Sequence, residues 1–267
     1  MKKPILSEKK SWLNFLSIAN IVAFAAVLVI NYLATSLPIG GNTTWALSDL
    51  YPNLFTPAGL TFSIWWLIYL SLLWFVIWQI VDLHKKITHN ITKKIWIWFL
   101  ISCLINISRI FAWHYKFVFL SVVIMLLFLI TLIIIDNRVE NWKKLWKRMD
   151  KLLVQIPFSL YLWWISVATI ANISARLVNV WWNARWMSDI FWTILLIIIA
   201  TILALLSLYK KNNIIFALVI IRAFLWIIIK RVDVDPVYAS SIIWTLWICI
   251  SAISTGIWLK FHQRKKN

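Results

Sequence analysis

The stretch FVFLSVVIMLLFLITLIII, residues 117–135, decides the fold class of this chain. It contains no charged residue, and it is continuously apolar rather than alternating as a transmembrane β-strand would be. A helix of about 20 apolar residues crosses roughly 30 Å of hydrocarbon, and its backbone groups pair internally, as the absence of water in lipid demands. The stretch therefore predicts a transmembrane α-helix.

Similar stretches fill most of the 267 residues, of which 63% are hydrophobic and only 13% charged. This composition excludes an ordinary soluble domain. The predicted fold is an all-α, polytopic membrane bundle of eight transmembrane helices. The predicted spans lie at about 12–37, 58–83, 95–113, 117–136, 152–178, 189–209, 214–230 and 237–259.

Basic residues gather at every second connection, and this predicts the orientation of the chain. It has 27 Lys and Arg against 9 Asp and Glu, a net charge of +18. Most of the basic residues lie near the N-terminus, in 84–94, 137–151 and 210–211, and in the C-terminal tail. The positive-inside rule then places both termini in the cytoplasm of a multi-pass plasma-membrane protein. The charge indicates contact with the lipid bilayer rather than nucleic acid, because no loop could house a nucleic-acid module.

Three spans each carry a stripe, that is, aromatic and polar residues spaced so that they lie on one face of the helix. Residues three or four apart share one helix face, and Asn within a span is costly unless it faces a partner or a cavity. The first outer connection is long and contains Gly and Pro, and long loops of this kind are often lids over a binding site. Helix–helix packing is the alternative explanation for the stripes. The stripes are Trp65 and Tyr69; Asn106, Arg109 and Trp113; and Tyr161, Trp164, Ala168 and Asn172.

These residues resemble the motifs of the TspO/MBR family, the tryptophan-rich sensory proteins related to the translocator protein. The second helix of that family starts with Pro and continues with Trp and Tyr, its third has Asn-x-x-Trp, and its fifth has Tyr-Leu-x-Trp followed by Ala and Asn. Here Pro57 precedes the first stripe, and Arg109 stands in the Trp place of the second. The resemblance covers about 1–178, which implies a TspO-like five-helix domain there and a three-helix extension over 179–267.

The resemblance implies a bacterial membrane protein that binds or senses a flat hydrophobic small molecule among helices one to five. A porphyrin or other tetrapyrrole, including a heme-type ligand, or a sterol-like molecule would fit, because aromatic faces stack on planar ligands. It also implies a homodimer. The candidate ligand-binding residues are Trp65, Tyr69, Asn106, Trp113, Tyr161, Trp164 and Asn172, and the candidate lid residues are Asn42, Asp49, Phe55 and Pro57.

Two other classes of function stay open. A small-molecule transporter is the first alternative, since Pro157 and Arg222 would mark broken or cavity-lining helices. An enzyme is the second, because light-dependent porphyrin breakdown is associated with the resembled family. No catalytic residue or metal site is predicted, because the chain lacks a nucleotide-binding loop, a zinc-protease motif and clustered His.

The counts of Gly and Trp are unusual for a membrane protein. Gly occurs 4 times and Trp 21 times, whereas ordinary usage of about 7% would give roughly 19 Gly. Arg109 and Arg222 lie near mid-span, where Arg costs at least about 2.5–3.5 kcal/mol. We hypothesise a nonstandard genetic code in which some printed Trp, such as Trp66, Trp74 and Trp163, are Gly and these two Arg are Trp. A genuinely Trp-rich chain with a functional Arg pair is the alternative.

Overall fold

A computed structural model describes residues 4–36, 39–85, 90–140, 151–179, 188–211, 213–234 and 236–266. Helices make up nearly all of these residues and no strand occurs among them, which confirms the predicted all-α polytopic bundle. The α-helices of these ranges are α1 (Pro4–Ser36), α2 (Thr44–Asp49), α3 (Ile64–Lys85), α4 (Asn90–His114), α5 (Val118–Glu140), α6 (Ile156–Asn179), α7 (Asp189–Lys211), α8 (Ile214–Val234) and α9 (Ser240–Lys266).

Seven helical segments in the described ranges are long and apolar enough to cross a membrane, and they match seven of the eight predicted spans. The eighth predicted span, 214–230, also forms a helix, α8, but this helix carries more charged residues: Arg222, Lys230, Arg231 and Asp233. The seven segments are Asn14–Gly41, Thr61–Val81, Ile95–His114, Val118–Glu140, Leu152–Asn179, Asp189–Lys210 and Ser240–Gln263.

The first compact unit comprises residues 1–44 and 65–162. In it α4 packs against both α1 and α5. Three buried rings on three helices form the centre: Phe75 and Phe158 meet edge-to-face with centroids 4.9 Å apart, and Phe99 lies 5.2 Å and 5.9 Å from them. Edge-to-face contact suits the ring quadrupoles, so these rings hold α3, α4 and α6 at fixed separations.

The second compact unit comprises residues 45–64 and 163–267. Its α7, α8 and α9 pack against one another in all three pairs. Buried alanines such as Ala204 and Ala217 lie in the apolar core of this unit. Small side chains let helix backbones approach closely, which is how helices associate where lipid is as apolar as the side chains. Gly256 on α9 extends the pattern, since a Cβ there would lie 3.1 Å from Leu208.

Two predictions about organisation are not tested by this fold. Residues 86–89 and 141–150 of the inner connections lie outside the described residues, and the fold does not assign a side of the membrane, so the cytoplasmic location of both termini stays a prediction. The predicted domain boundary at 178/179 also stays a prediction; the two compact units divide the chain elsewhere, and α6 contributes residues to both.

Candidate functional site

Asn106 on α4 is the centre of a polar cluster inside the first unit. Its side chain is fully buried. The amide nitrogen donates to the hydroxyl of Tyr161 at 2.7 Å and to that of Tyr69 at 3.4 Å. The amide oxygen accepts from the side chain of Asn31 at 2.9 Å. One amide therefore joins α1, α3, α4 and α6, and the helical periodicity of each stripe is what turns these side chains inward.

Aromatic rings surround this network. Trp65 stacks on Tyr69 with centroids 5.4 Å apart and meets Tyr161 edge-on at 6.2 Å. Phe128 on α5 also meets Tyr161 edge-on, at 5.2 Å. Tyr69, Tyr161 and Phe128 are buried, whereas Trp65 is half-buried. Trp65 is therefore the partly accessible ring among these four.

Arg109, one turn along α4 from Asn106, lies against the same ring. Its guanidinium carbon is 5.0 Å from the centroid of Trp65, a cation–π distance. The side chain is only 8% exposed. Its Nε and Nη2 have no hydrogen-bond partner among the residues that the structure describes. A buried guanidinium that lacks these bonds is costly. An anionic group on a ligand would pair with it, whereas a Trp at position 109, as the composition suggests, would remove the charge.

The start of the long connection rests on the end of α4. The indole nitrogen of Trp113 donates to the carbonyl of Thr44 at 3.4 Å. Gly40 has a φ of 65°, and a Cβ there would lie 3.1 Å from the carbonyl oxygen of His114. A side chain at Gly40 would be strained on both counts. His114 is itself buried, with Nδ1 2.9 Å from the carbonyl of Ile110, as befits a hairpin residue.

The eleven predicted residues divide between the two units. Trp65, Tyr69, Asn106 and Tyr161 contact one another directly. Trp113 and Asn42 belong to the same unit but make other contacts: the indole of Trp113 reaches Thr44, and the amide of Asn42 donates to the carbonyl of Gly40 at 3.4 Å.

The remaining five residues lie in the second unit. Trp164 is buried and meets Phe62 edge-on at 6.2 Å. Asn172 is half-buried. Phe55 and Pro57 are buried, Phe55 within the apolar core. Asp49 forms an ion pair with Lys230.

Sequence reasoning missed two members of the cluster. Asn31 was detectable as an amide within an apolar span, where an unpaired Asn is costly. Phe128 carried no such signal, since α5 is apolar on every side and its sequence does not show which face meets Tyr161. Among the described residues no group of three or more His, Cys, Asp or Glu could hold a metal ion.

Comparisons with known proteins identify the family. A model of the family described as TSPO-like protein matches residues 17–259. The match covers most of the chain and includes α7, α8 and most of α9, beyond the 1–178 over which the motifs were found. Searches of curated proteins and of solved structures gave no match. This multi-pass helical membrane chain therefore belongs to the TSPO-like protein family.

Proposed function

We propose that this TspO-type membrane protein binds a flat hydrophobic ligand, a porphyrin or a sterol-like molecule, against the cluster around Asn106. The observation that carries the proposal is the half-buried indole of Trp65, which stacks on Tyr69 at 5.4 Å. An accessible aromatic face backed by a second ring is a surface on which a planar ligand stacks.

The buried polar groups behind Trp65 support its position. Asn106 uses both amide protons and its oxygen in bonds to Tyr69, Tyr161 and Asn31. The network holds the rings at set angles before a ligand arrives, and such preorganisation lowers the entropic cost of binding. Trp113, Trp164 and Asn172 remain predicted ligand contacts, and the homodimer remains a prediction as well.

A porphyrin titration with two neighbouring variants tests the proposal. Trp65 lies in the cluster, whereas Leu67, two residues on, is 53% exposed on another face of α3. We expect Trp65→Ala to weaken protoporphyrin binding by at least about tenfold, or about 1.4 kcal/mol, and Leu67→Ala by less than about twofold. Saturable change of the Soret band measures the affinity. Equal effects, or no saturable change in the unaltered protein, would reject this site.

The same titration tests the residue predicted in the second unit. Trp164→Ala should weaken binding far more than Trp12→Ala, because Trp12 is exposed and stacks only on its neighbour Phe15 in the described part of the chain. Since Trp164 is buried, its variant needs a matching thermal melt to separate lost binding from lost folding.

Transport is the second candidate, and two local features favour it. A π-helical turn, Lys151–Gln155, leads directly into α6, whose second residue is Pro157. Pro lacks the N–H that a continuous helix would use, so this predicted span is irregular at its start. Arg222 in α8 donates to the hydroxyl of Ser63 at 3.0 Å. Ligand flux into liposomes containing the protein would favour transport over binding alone.

A further inference from the structure

The second unit contains a polar cavity that is separate from the aromatic cluster. It has a volume of about 260 Å³. Its walls are the end of α2, the connection that follows it, the first residue of α7 and the last turn of α8. This volume is just below the range of about 300–1,000 Å³ for small-molecule sites, so a ligand here would be small. Four charged residues line it: Asp49, Asp189, Lys230 and Arg231.

The charges in this cavity balance, with two carboxylates against two basic groups. The ammonium of Lys230 lies 2.9 Å from the carboxylate of Asp49, and their side chains are 22% and 54% exposed. Arg231 is only 7% exposed although it lines the cavity. A ligand of a single sign would meet as many like charges as opposite charges in the lining, which opposes binding. A ligand with one group of each sign could place each group beside a charge opposite to its own.

The wall contributed by the connection is held in place by one side chain. The amide oxygen of Asn53 accepts from the N–H of Phe55 at 3.2 Å and from the N–H and hydroxyl of Thr56 at 2.9 Å and 3.0 Å. Its amide nitrogen donates to the carbonyl of Tyr51 at 2.9 Å. Phe55 then anchors the connection in the apolar core. The cavity is therefore preformed, and a ligand need not order this wall.

Tyr51 adds a neutral polar group to the lining. Burial raises the pKa of its phenol above the ordinary value. The hydroxyl therefore keeps its proton at physiological pH, and it can donate to an acidic oxygen of a ligand or accept from an ammonium group.

We propose that this cavity binds a small zwitterion that carries a primary ammonium group a few atoms from a carboxylate or a phosphate. Asp49 and Asp189 would receive the ammonium, and Lys230 and Arg231 would receive the acid. A free α-amino acid and the phosphoethanolamine headgroup of a lipid share this chemistry. The site is independent of the aromatic cluster, so porphyrin binding can fail without affecting it.

Calorimetric titration of the full-length protein in phosphatidylcholine nanodiscs tests the charge pattern. The ligands are L-alanine and O-phosphoethanolamine, with acetate and ethanolamine as probes of a single charge. We expect saturable binding of at least one zwitterion, at least about tenfold tighter than either single-charge probe. Nanodiscs made with phosphatidylethanolamine distinguish the sources, because a bound headgroup would reduce the apparent affinity for the free ligand. Binding of acetate or ethanolamine as tight as that of the zwitterions, or no saturable binding, would overturn the proposal.

Matched variants locate the site. Asp49→Asn and Lys230→Gln alter the lining, whereas Asp233→Asn changes an exposed carboxylate near the same end of α8 that does not line the cavity. We expect each lining variant to weaken zwitterion binding by at least about tenfold and Asp233→Asn by less than about twofold. These residues are at least partly exposed, so the variants should fold, which a thermal melt checks. Equal effects of the three variants would show that the zwitterion binds outside this cavity.

Discussion

At the scale of single residues, Asn106 is a polar group held by three side-chain hydrogen bonds in the first unit. Its amide bonds to Tyr69, Tyr161 and Asn31 while it is fully buried. A leucine there would remove all three bonds: Tyr69 and Tyr161 are buried, and the half-buried Asn31 would keep its bond to the carbonyl of Val27. The cost of each unsatisfied buried group is about 1–3 kcal/mol, although partners also form in unfolded membrane states.

We therefore predict that Asn106→Leu destabilises the protein by about 1–3 kcal/mol. Ser108→Ala is the matched control on the same helix, because Ser108 is exposed and its hydroxyl donates to the carbonyl of Leu104 within the same helix; we expect it to cost less than about 0.5 kcal/mol. Unfolding of detergent-solubilised protein by increasing SDS measures both. Equal losses would mean that the network contributes nothing beyond local packing.

The chemical identity of several residues is a second question at this scale. Trp66 and Trp74 are 62% and 53% exposed. Trp163 lies face to face on Phe216 with centroids 3.4 Å apart, whereas aromatic pairs prefer about 4.5–7 Å. Its indole N–H has no partner among the described residues. A glycine at position 163 would remove both features, and a tryptophan at Arg109 would replace a buried charge by a ring beside Trp65.

Peptide mass spectrometry of the protein from its native host tests this hypothesis directly. We expect Gly at positions 66, 74 and 163 and Trp at position 109. The same protein expressed with the standard code serves as the control and should show the printed residues. Trp at the first three positions together with Arg at 109 in the native protein would exclude recoding. The predicted topology does not depend on the result, because it rests on Lys and Arg in the connections.

At the scale of elements, α9 approaches α7 closely at Gly256. A Cβ at this position would lie 3.1 Å from Leu208 and 3.3 Å from Leu205. The contact is with the ends of flexible side chains, so a single methyl group can be accommodated by small shifts. A branched side chain would force the two helices apart, and overpacking of this kind costs about 1–3 kcal/mol.

We predict that Gly256→Leu lowers the stability of the protein by about 1–3 kcal/mol. Ser254→Leu, at an exposed position two residues earlier on α9, should have little effect. Thermal melts of both variants in the same detergent provide the comparison. A melt of Gly256→Leu that overlays the unaltered protein would show that α7 and α9 are not in close contact there.

The elements also show how far sequence reasoning extended. Continuous apolar runs predicted eight spans. Seven of them form helical segments that are long and apolar enough to cross a membrane, and the eighth forms α8. The runs could not show which helices would pair, because α5 is apolar on all faces and α8 carries its charges at both mid-span and end. Pairing depends on side-chain shape, which a hydropathy pattern does not contain.

At the scale of the whole molecule, the orientation in the membrane follows from the distribution of charge. Basic residues concentrate at the termini and at alternate connections. We predict that a green fluorescent protein fused to the C-terminus fluoresces in a bacterial host, and that alkaline phosphatase fused after residue 43 is active. Each reporter works on one side of the membrane only. The reverse pattern would contradict the positive-inside prediction.

The sequence by itself determined the fold class, the apolar helices and the faces on which Trp65, Tyr69, Asn106 and Tyr161 lie. It could do so because lipid requires internally bonded backbone and because helical periodicity is a local property. Only the tertiary structure decided that Asn31 joins Asn106, and that Lys230 pairs with Asp49, 181 residues away along the chain. Such pairs depend on how distant helices pack, and no local pattern of residues encodes that packing.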